Sequence, residues 1–297
     1  MKVVFLGTGA MQPTKERGLS SIYVQFEKEH ILIDCGEGTQ RQMKFANLKA
    51  PRLTKIFISH FHADHVLGLS GIIRTLGANQ YTGTLEIYGP KDLTKYFENM
   101  KHSAHYTENI KVNLTEITKD GKIFEDDKHT IEVKRLDHST HCYGISITEK
   151  PKRKININYT KKFGLTEHPL LGELQKGKTV TYKGKKITPK EATILVKGKK
   201  LTVLYDTGYC DKAVELAKDS DLLISEATFL SKEEDKAAQY KHLTAKQAAQ
   251  IAKKAKAKEL ILTHFSQRYK DSLAAKEEAS KIFKNTKCAE DFMEINV

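Results

Sequence analysis

Long hydrophobic runs are missing from this chain. Segments such as Ile31-Leu32-Ile33 and Leu260-Ile261-Leu262 fall far short of the ~20 apolar residues needed to cross a bilayer, which excludes a helical membrane span. Met1 to Leu6 runs straight into Gly7 and Gly9, too short an apolar stretch for a signal peptide, so a cytoplasmic location is expected. Cysteine is sparse as well. Cys35, Cys142, Cys210 and Cys288 are scattered without any Cys-x-x-Cys spacing, which argues against both a disulfide framework and a thiolate zinc ribbon. No internal repeat of fixed period is present, so a repeat array is not expected.

What remains is the composition of a globular protein. With 297 residues, 39% of them hydrophobic, and 12 Phe and 12 Tyr, the chain can bury roughly 75% of the surface its unfolded form exposes. Disorder is excluded as the overall state. The formal charge of +13 admits two readings, a lysine-rich surface or an electrostatic footprint for a polyanion, and composition does not choose between them.

Short β-branched runs recur, and most end in polar clusters. Val3 to Leu6 leads into Gly7-Thr8-Gly9, His30 to Ile33 into Asp34-Cys35-Gly36, and Lys55 to Ser59 into His60. Leu201 to Tyr205 leads into Asp206, Asp221 to Ile224 into Ser225-Glu226, and Glu259 to Thr263 into His264. Six strands thus deliver polar groups at their C-terminal ends, the habit of a layered α/β domain with its site along one edge. Helices are expected over Thr39–Asn47, Leu67–Leu76, Asp211–Lys218 and Thr244–Lys258, the last with Ala248, Ile251, Ala252 and Ala255 on one face. From Pro151 to about Lys200, lysines and glycines interrupt the apolar pattern. This stretch reads either as a solvated excursion or as a basic arm that grips phosphates.

The densest chemical signal is His60-Phe61-His62-Ala63-Asp64-His65, directly after a strand-like run. Imidazole and carboxylate suit zinc, and such a turn can aim His60 and His62 at one ion while Asp64 and His65 face a second, as in a two-metal hydrolase. The bland reading is a solvated, histidine-rich loop. One loop cannot complete two sites, so His138, Asp206 and His264, each closing an apolar run, are the candidate distant ligands. Taken singly, each is better read as satisfying backbone groups.

Together, this block and the three later residues resemble the metallo-β-lactamase superfamily over nearly the whole chain. More specific segments are similar to the ribonuclease Z family, endonucleases that trim the 3′ trailer from precursor tRNA. They are Gly7-Thr8-Gly9 with Pro13-Thr14-Lys15-Glu16-Arg17, Asp34-Cys35-Gly36-Glu37-Gly38-Thr39-Gln40, Ser225-Glu226-Ala227-Thr228-Phe229, Lys241-His242-Leu243-Thr244-Ala245 and Thr263-His264-Phe265-Ser266. Phe163 to Gly177 resembles that family's tRNA-binding arm, with His168 where the family carries Gly.

The resemblance implies an α/β fold, the four-layer αβ/βα metallo-β-lactamase sandwich, as one domain over 1–297 with a protruding basic arm inserted at about 151–200. It implies two zinc ions per subunit. His60, His62, His138 and Asp206 would hold the first, and Asp64, His65, Asp206 and His264 the second. His138 fits the family's spacing to the Tyr143-Gly144 pair better than His141 does. Asp34 would accept a hydrogen bond from a ligand imidazole. Asp64 would act as base or orient the attacking water, and His242, held by Glu226, would donate the proton. Lys15, Arg17, Lys161, Lys162 and Lys176 would bind substrate. The implied partners are precursor tRNA and a second copy of the chain in a homodimer. The implied activity is zinc-dependent cleavage 3′ of the discriminator nucleotide, leaving a tRNA 3′-hydroxyl and a trailer 5′-phosphate. The competing reading keeps the fold and changes the substrate to a small phosphodiester or other small ester. His30, His102, His105, His129 and His168 carry no assigned role.

Overall fold

The computed structural model describes residues 1–103 and 110–297, so His105 lies outside the described residues. Contacts divide the chain into two compact units. The first comprises Met1–Phe124, Ile131–Ile147 and Lys200–Val297, and the second Glu125–Thr130 with Thr148–Lys199.

The first unit is built on two seven-stranded sheets. One has the spatial order Glu294–Asn296, Lys2–Gly7, Ser21–Phe26, Glu29–Ile33, Lys55–Phe57, Thr84–Pro90 and Lys111–Ile117. The other runs Thr286–Cys288, Leu260–Thr263, Leu222–Glu226, Lys200–Leu204, Tyr143–Glu149, His129–Arg135 and Gly121–Glu125. Side chains alternate across a strand, and in central strands such as Lys2–Gly7, Glu29–Ile33, Leu222–Glu226 and Leu260–Thr263 both faces are buried, which is why these read as unbroken apolar runs. Val3, Phe5, Ile31 and Ile33 point into a cluster shared with Val203, Tyr205, Leu222, Ile224 and Ile261 of the second sheet. Their neighbours Val4, Leu6 and Leu32 instead pack on Met43, Leu69, Ile72 and Leu76 of the outer helices. On the far side, Leu204, Leu223, Leu260 and Leu262 pack on Ala213, Leu216, Ala248 and Ile251. Helix, sheet, sheet and helix therefore form the four layers of the metallo-β-lactamase fold.

Two helices stop earlier than their apolar pattern extends, for one reason. Helix Thr39–Phe45 ends because Asn47 turns left-handed (φ 54°), letting Leu48 N donate to Met43 O and Asn47 N to Lys44 O. Helix Ala245–Lys254 ends likewise at Lys256 (φ 55°), with Ala257 N donating to Ala252 O and Lys256 N to Lys253 O. Both are Schellman ends, closed by Asn and Lys where glycine is the usual signal. The helix expected over Leu67–Leu76 is two pieces, Ala63–Val66 and Leu69–Ala78. Gly68 sits between them, where an added Cβ would lie 2.1 Å from the Gly36 carbonyl oxygen. That close approach fixes the His60–His65 segment against the Asp34-Cys35-Gly36 turn.

The second unit has a small core of its own. Leu165, Leu174, Val180, Ile187 and Ala192 are buried, with Ile155, Tyr159, Phe163 and Tyr182 packed around them. It holds two short ribbons, Lys152–Ile155 with Thr193–Val196 and Val180–Tyr182 with Lys185–Ile187. Lys161, Lys162 and Lys176 are all exposed on it. His168 accepts a hydrogen bond at Nδ1 from Leu170 N (3.2 Å) and packs edge-on against Tyr182. Among the described residues no helix is long and apolar enough to cross a membrane.

Candidate metal centre

Every candidate ligand lies in the segment that leaves the C-terminal end of a strand, Asp64 and His65 in the short helix Ala63–Val66. His60, His62, Asp64 and His65 follow Lys55–Phe57, His138 follows His129–Arg135, Asp206 follows Lys200–Leu204, and His264 follows Leu260–Thr263. The fold brings all seven together. His60, His62, His138 and Asp206 present ligand atoms within 4.8 Å of one another, as do Asp64, His65 and His264, and as do Asp206, His242 and His264. His141 is exposed and outside these groups.

The hydrogen bonds behind the rings decide which nitrogen faces inward. His65 Nδ1 donates to Asp34 Oδ2 at 2.6 Å, His138 Nδ1 to the Lys241 carbonyl at 3.0 Å, and His264 Nδ1 to Thr228 Oγ1 at 2.9 Å. His60 Nδ1 meets Ser59 Oγ at 3.0 Å, and that hydroxyl in turn donates to Asp34 Oδ2 at 2.6 Å. With each Nδ1 spent on donation, the four Nε2 lone pairs are left for the interior. His62 is turned the other way, with Nδ1 3.3 Å from His138 Nε2. Asp34 and His264 adopt left-handed backbone, φ 57° and 58°, and such conformations persist in non-glycine residues where surrounding contacts over-determine them.

Asp206 divides the cluster. Its Oδ2 lies 3.5 Å from His60 Nε2 and 3.8 Å from His138 Nε2, while Oδ1 lies 3.4 Å from His65 Nε2 and 3.2 Å from His264 Nε2. One oxygen thus serves each half. Burial alone would raise its pKa, but the imidazoles of His264, His65 and His242 hold the carboxyl well below the usual range. Burial lowers the pKa of His60, His62 and His138, which keeps those rings neutral with a lone pair free.

Whether the residues fit metal ions is decided by what they leave unpartnered. His60 Nε2 and Asp206 Oδ1 are fully buried and have no hydrogen-bond partner among the described residues, a costly condition unless an ion satisfies them. An all-imidazole and carboxylate donor set of this geometry fits zinc-type ions.

Beside this cluster, His242 Nδ1 donates to Glu226, at 3.1 and 3.2 Å from its two oxygens. His242 Nε2 is then free, 3.9 Å from Asp206 Oδ2. Burial would depress this imidazole, but the carboxylates of Glu226 and Asp206 outweigh it and raise the pKa to about 9. Glu226 is itself held by Thr207 N at 2.7 Å and Thr228 Oγ1 at 2.5 Å. On the other side, Asp64 Oδ2 accepts the Met11 N–H at 2.7 Å, tying the Pro13–Arg17 loop to the centre. Lys15 is exposed there, while Arg17 stacks over Phe265 and donates to the Tyr269 carbonyl at 3.3 Å.

Several of these partners escaped the sequence reading. Ser59 and Thr228 lie beside recognised motif residues and could have been suspected from their hydroxyls. The Met11 N–H and the Lys241 carbonyl are backbone groups, and nothing in a side-chain pattern announces them.

Comparison with known proteins places this geometry. Residues 1–183 match the family described as Anti-Pycsar protein Apyc1, and residues 176–265 the Beta-lactamase superfamily domain. The chain is 38% identical over 299 residues to a Ribonuclease Z of Bacillus cereus, covering 98% of this chain and 97% of the relative. The crystal structure of the short form of human tRNase Z superposes with a TM-score of 0.75 at 31% identity, covering 100% of this chain and 99% of that one. The metallo-beta-lactamase fold protein YhfI from Bacillus subtilis gives 0.72 at 20% identity, covering 99% and 98%, and bears on the fold alone.

Proposed function

The chain belongs to the ribonuclease Z family over its full length, and over residues 1–183 to the family described as Anti-Pycsar protein Apyc1; from the full-length membership we propose how its centre performs tRNA 3′ processing. The protein is an endoribonuclease that hydrolyses phosphodiester bonds, and its substrate is precursor tRNA, cut on the 3′ side of the discriminator. The observation that carries the mechanism is the grouping of His60, His62, His138 and Asp206 and of Asp64, His65 and His264, all buried but His62, with His242 beside Asp206 and His264 and its pKa raised to about 9.

His60, His62 and His138 would hold one zinc ion, Asp64, His65 and His264 a second, with Asp206 giving one oxygen to each. Bound there, the pair supplies an activated water and Lewis acidity at the phosphate. Asp64, fixed by the Met11 N–H, orients the attacking water or accepts its proton. Ends of 3′-hydroxyl and 5′-phosphate require the bond from phosphorus to the discriminator 3′-oxygen to break. His242 Nε2 protonates that oxygen as it leaves, while Glu226 holds Nδ1–H and keeps the ring oriented. Lys15 and Arg17 take phosphates near the cut. Lys161, Lys162 and Lys176 on the second unit act as a basic arm that takes the backbone of the substrate helix, whose deep major groove resists side-chain readout. The same reading includes a cytoplasmic homodimer, which sedimentation velocity tests directly.

The test is cleavage of end-labelled precursor tRNA by zinc-loaded protein and by Asp64→Ala, with the cut mapped to the nucleotide. A single cut after the discriminator, lost in the variant, supports the whole reading. If tRNA is left intact while bis-p-nitrophenyl phosphate is turned over and that turnover is lost in the variant, the centre stands. The substrate is then a small phosphodiester.

A further inference from the structure

Beside the metal centre lies a cavity of about 620 Å³ between the Pro13–Arg17 loop, the end of helix Thr39–Phe45 and the Asp291-Phe292 turn. That volume lies within the roughly 300–1,000 Å³ typical of small-ligand sites. Its walls are fixed in advance. Asp291 accepts hydrogen bonds from Thr8 N (3.0 Å), Thr8 Oγ1 (2.8 Å), Gly18 N (2.7 Å) and Gln42 Nε2 (2.8 Å), so one carboxylate ties loop, helix and turn together. The next residue, Phe292, has φ 69°, a left-handed conformation that a bulky side chain rarely adopts. Bonds from Phe292 N to Phe5 O (2.7 Å) and from Phe5 N to Met293 O (3.0 Å) hold it so.

This arrangement leaves two phenylalanine rings bare at the cavity. Phe45 is 55% exposed and Phe292 40%, with their centroids 6.0 Å apart, edge to face. The Arg41 guanidinium lies 4.4 Å above the Phe45 ring. The charges balance: Lys15, Arg17 and Arg41 stand against Glu16, Glu37 and the fully engaged Asp291. That balance does not select an anion for the cavity itself, while Lys15 and Arg17 on its loop remain for a phosphate next to it. A neutral planar heterocycle, with both donors and acceptors at its edge and a face to stack, fits all three features, and a nucleobase is that ligand. The cavity is also in the right place. Pro13 lines it, two residues from Met11, whose N–H is 2.7 Å from Asp64, and two residues of chain reach at most about 7 Å.

We propose that this cavity is a base-binding subsite, with Phe45 and Phe292 as its stacking surfaces, for an unpaired nucleotide bordering the scissile phosphodiester. The inference rests on the proposed function and adds specificity-determining residues to it.

Two measurements test it. In the first, wild type, Phe45→Ala and Phe292→Ala cleave precursor tRNAs that are intact, abasic at the discriminator, or abasic at the first trailer nucleotide. Each variant should lose about 10-fold in kcat/KM on intact substrate, the scale of one base–aromatic stack. One of the two abasic substrates should cost wild type a similar factor, and combining it with either variant should cost no more; that substrate identifies which flanking nucleotide enters. Undiminished cleavage by both variants, or losses that multiply with both abasic substrates, overturns the subsite. In the second, a single-stranded tetranucleotide carrying 2-aminopurine is titrated with protein. Its fluorescence should be quenched by wild type and less so by Phe45→Ala, whose side chain is on the surface and whose loss leaves the core intact. Equal quenching by both overturns the proposal even if the protein proves to cut no tRNA, so the two readings fail separately.

Discussion

On the proposed mechanism Glu226 and His242 divide one task, and pH separates their parts. The imidazole near 9 is protonated through neutral pH, and donation to the leaving oxygen needs that form. Cleavage by the wild type should therefore hold at neutral pH and fall on an alkaline limb set by His242, whose pKa Glu226 raises. Glu226→Gln removes one of the two carboxylates that raise His242, so its alkaline limb should move toward the ordinary imidazole range near 6.5. A merely structural glutamate would lower the rate without moving the limb. His242→Asn should lose about 10²–10⁴-fold in kcat, the usual worth of a positioned proton donor, with the limb abolished. These profiles, taken with zinc-saturated protein, check the assignment.

Helix and turn geometry carry the ligands, and the tightest point is where Gly68 crosses Gly36. A methyl group at Gly68 would sit 2.1 Å from a backbone oxygen, and one at Gly36 would sit 2.4 Å from Asp64 O, so no flexible side chain can give way. Gly68→Ala should cost on the order of 3 kcal/mol, seen in a thermal or urea melt, and should reduce the divalent metal retained after dialysis. A milder test lies at Thr244, whose hydroxyl accepts from Gln247 N in a capping box at the start of helix Ala245–Lys254. Thr244→Ala should cost about 1 kcal/mol, and because His242 sits two residues upstream its cleavage rate should fall more than its stability. The sequence made strand identity and the candidate ligands that the fold gathers legible, because apolar runs ending in His60, Asp206 and His264 have two buried faces and one polar end. It did not reveal where helices stop. Asn47 and Lys256 close them from the left-handed region through backbone bonds, and only glycine advertises that conformation reliably.

Across the whole molecule, the readable and unreadable parts separate by the range of the interaction. The resemblance implied that Asp34 accepts a hydrogen bond from a ligand imidazole without saying which, and the folded chain supplies His65 at 2.6 Å. Asp291, bonded to Thr8 283 residues earlier, and Phe292 at the cavity edge sit in a segment with no pattern, so only the folded chain shows what they do. Charge is the property that sequence gives in total and structure distributes. The +13 excess includes Lys161, Lys162 and Lys176, exposed on a unit with a core of its own. If these take phosphates, binding of precursor tRNA to the metal-free protein should weaken steeply with salt, since each neutralised phosphate releases counterions. The triple Ala variant should then bind more weakly at low salt and show a slope of log K against log salt shallower by roughly 2–3, about 0.7–0.9 for each phosphate no longer neutralised. An unchanged slope would identify these lysines as a solvated face. Because that unit packs its own apolar cluster around Leu165 and Leu174, the three exposed substitutions should leave its melting unchanged, and any altered slope then reports the interface with RNA.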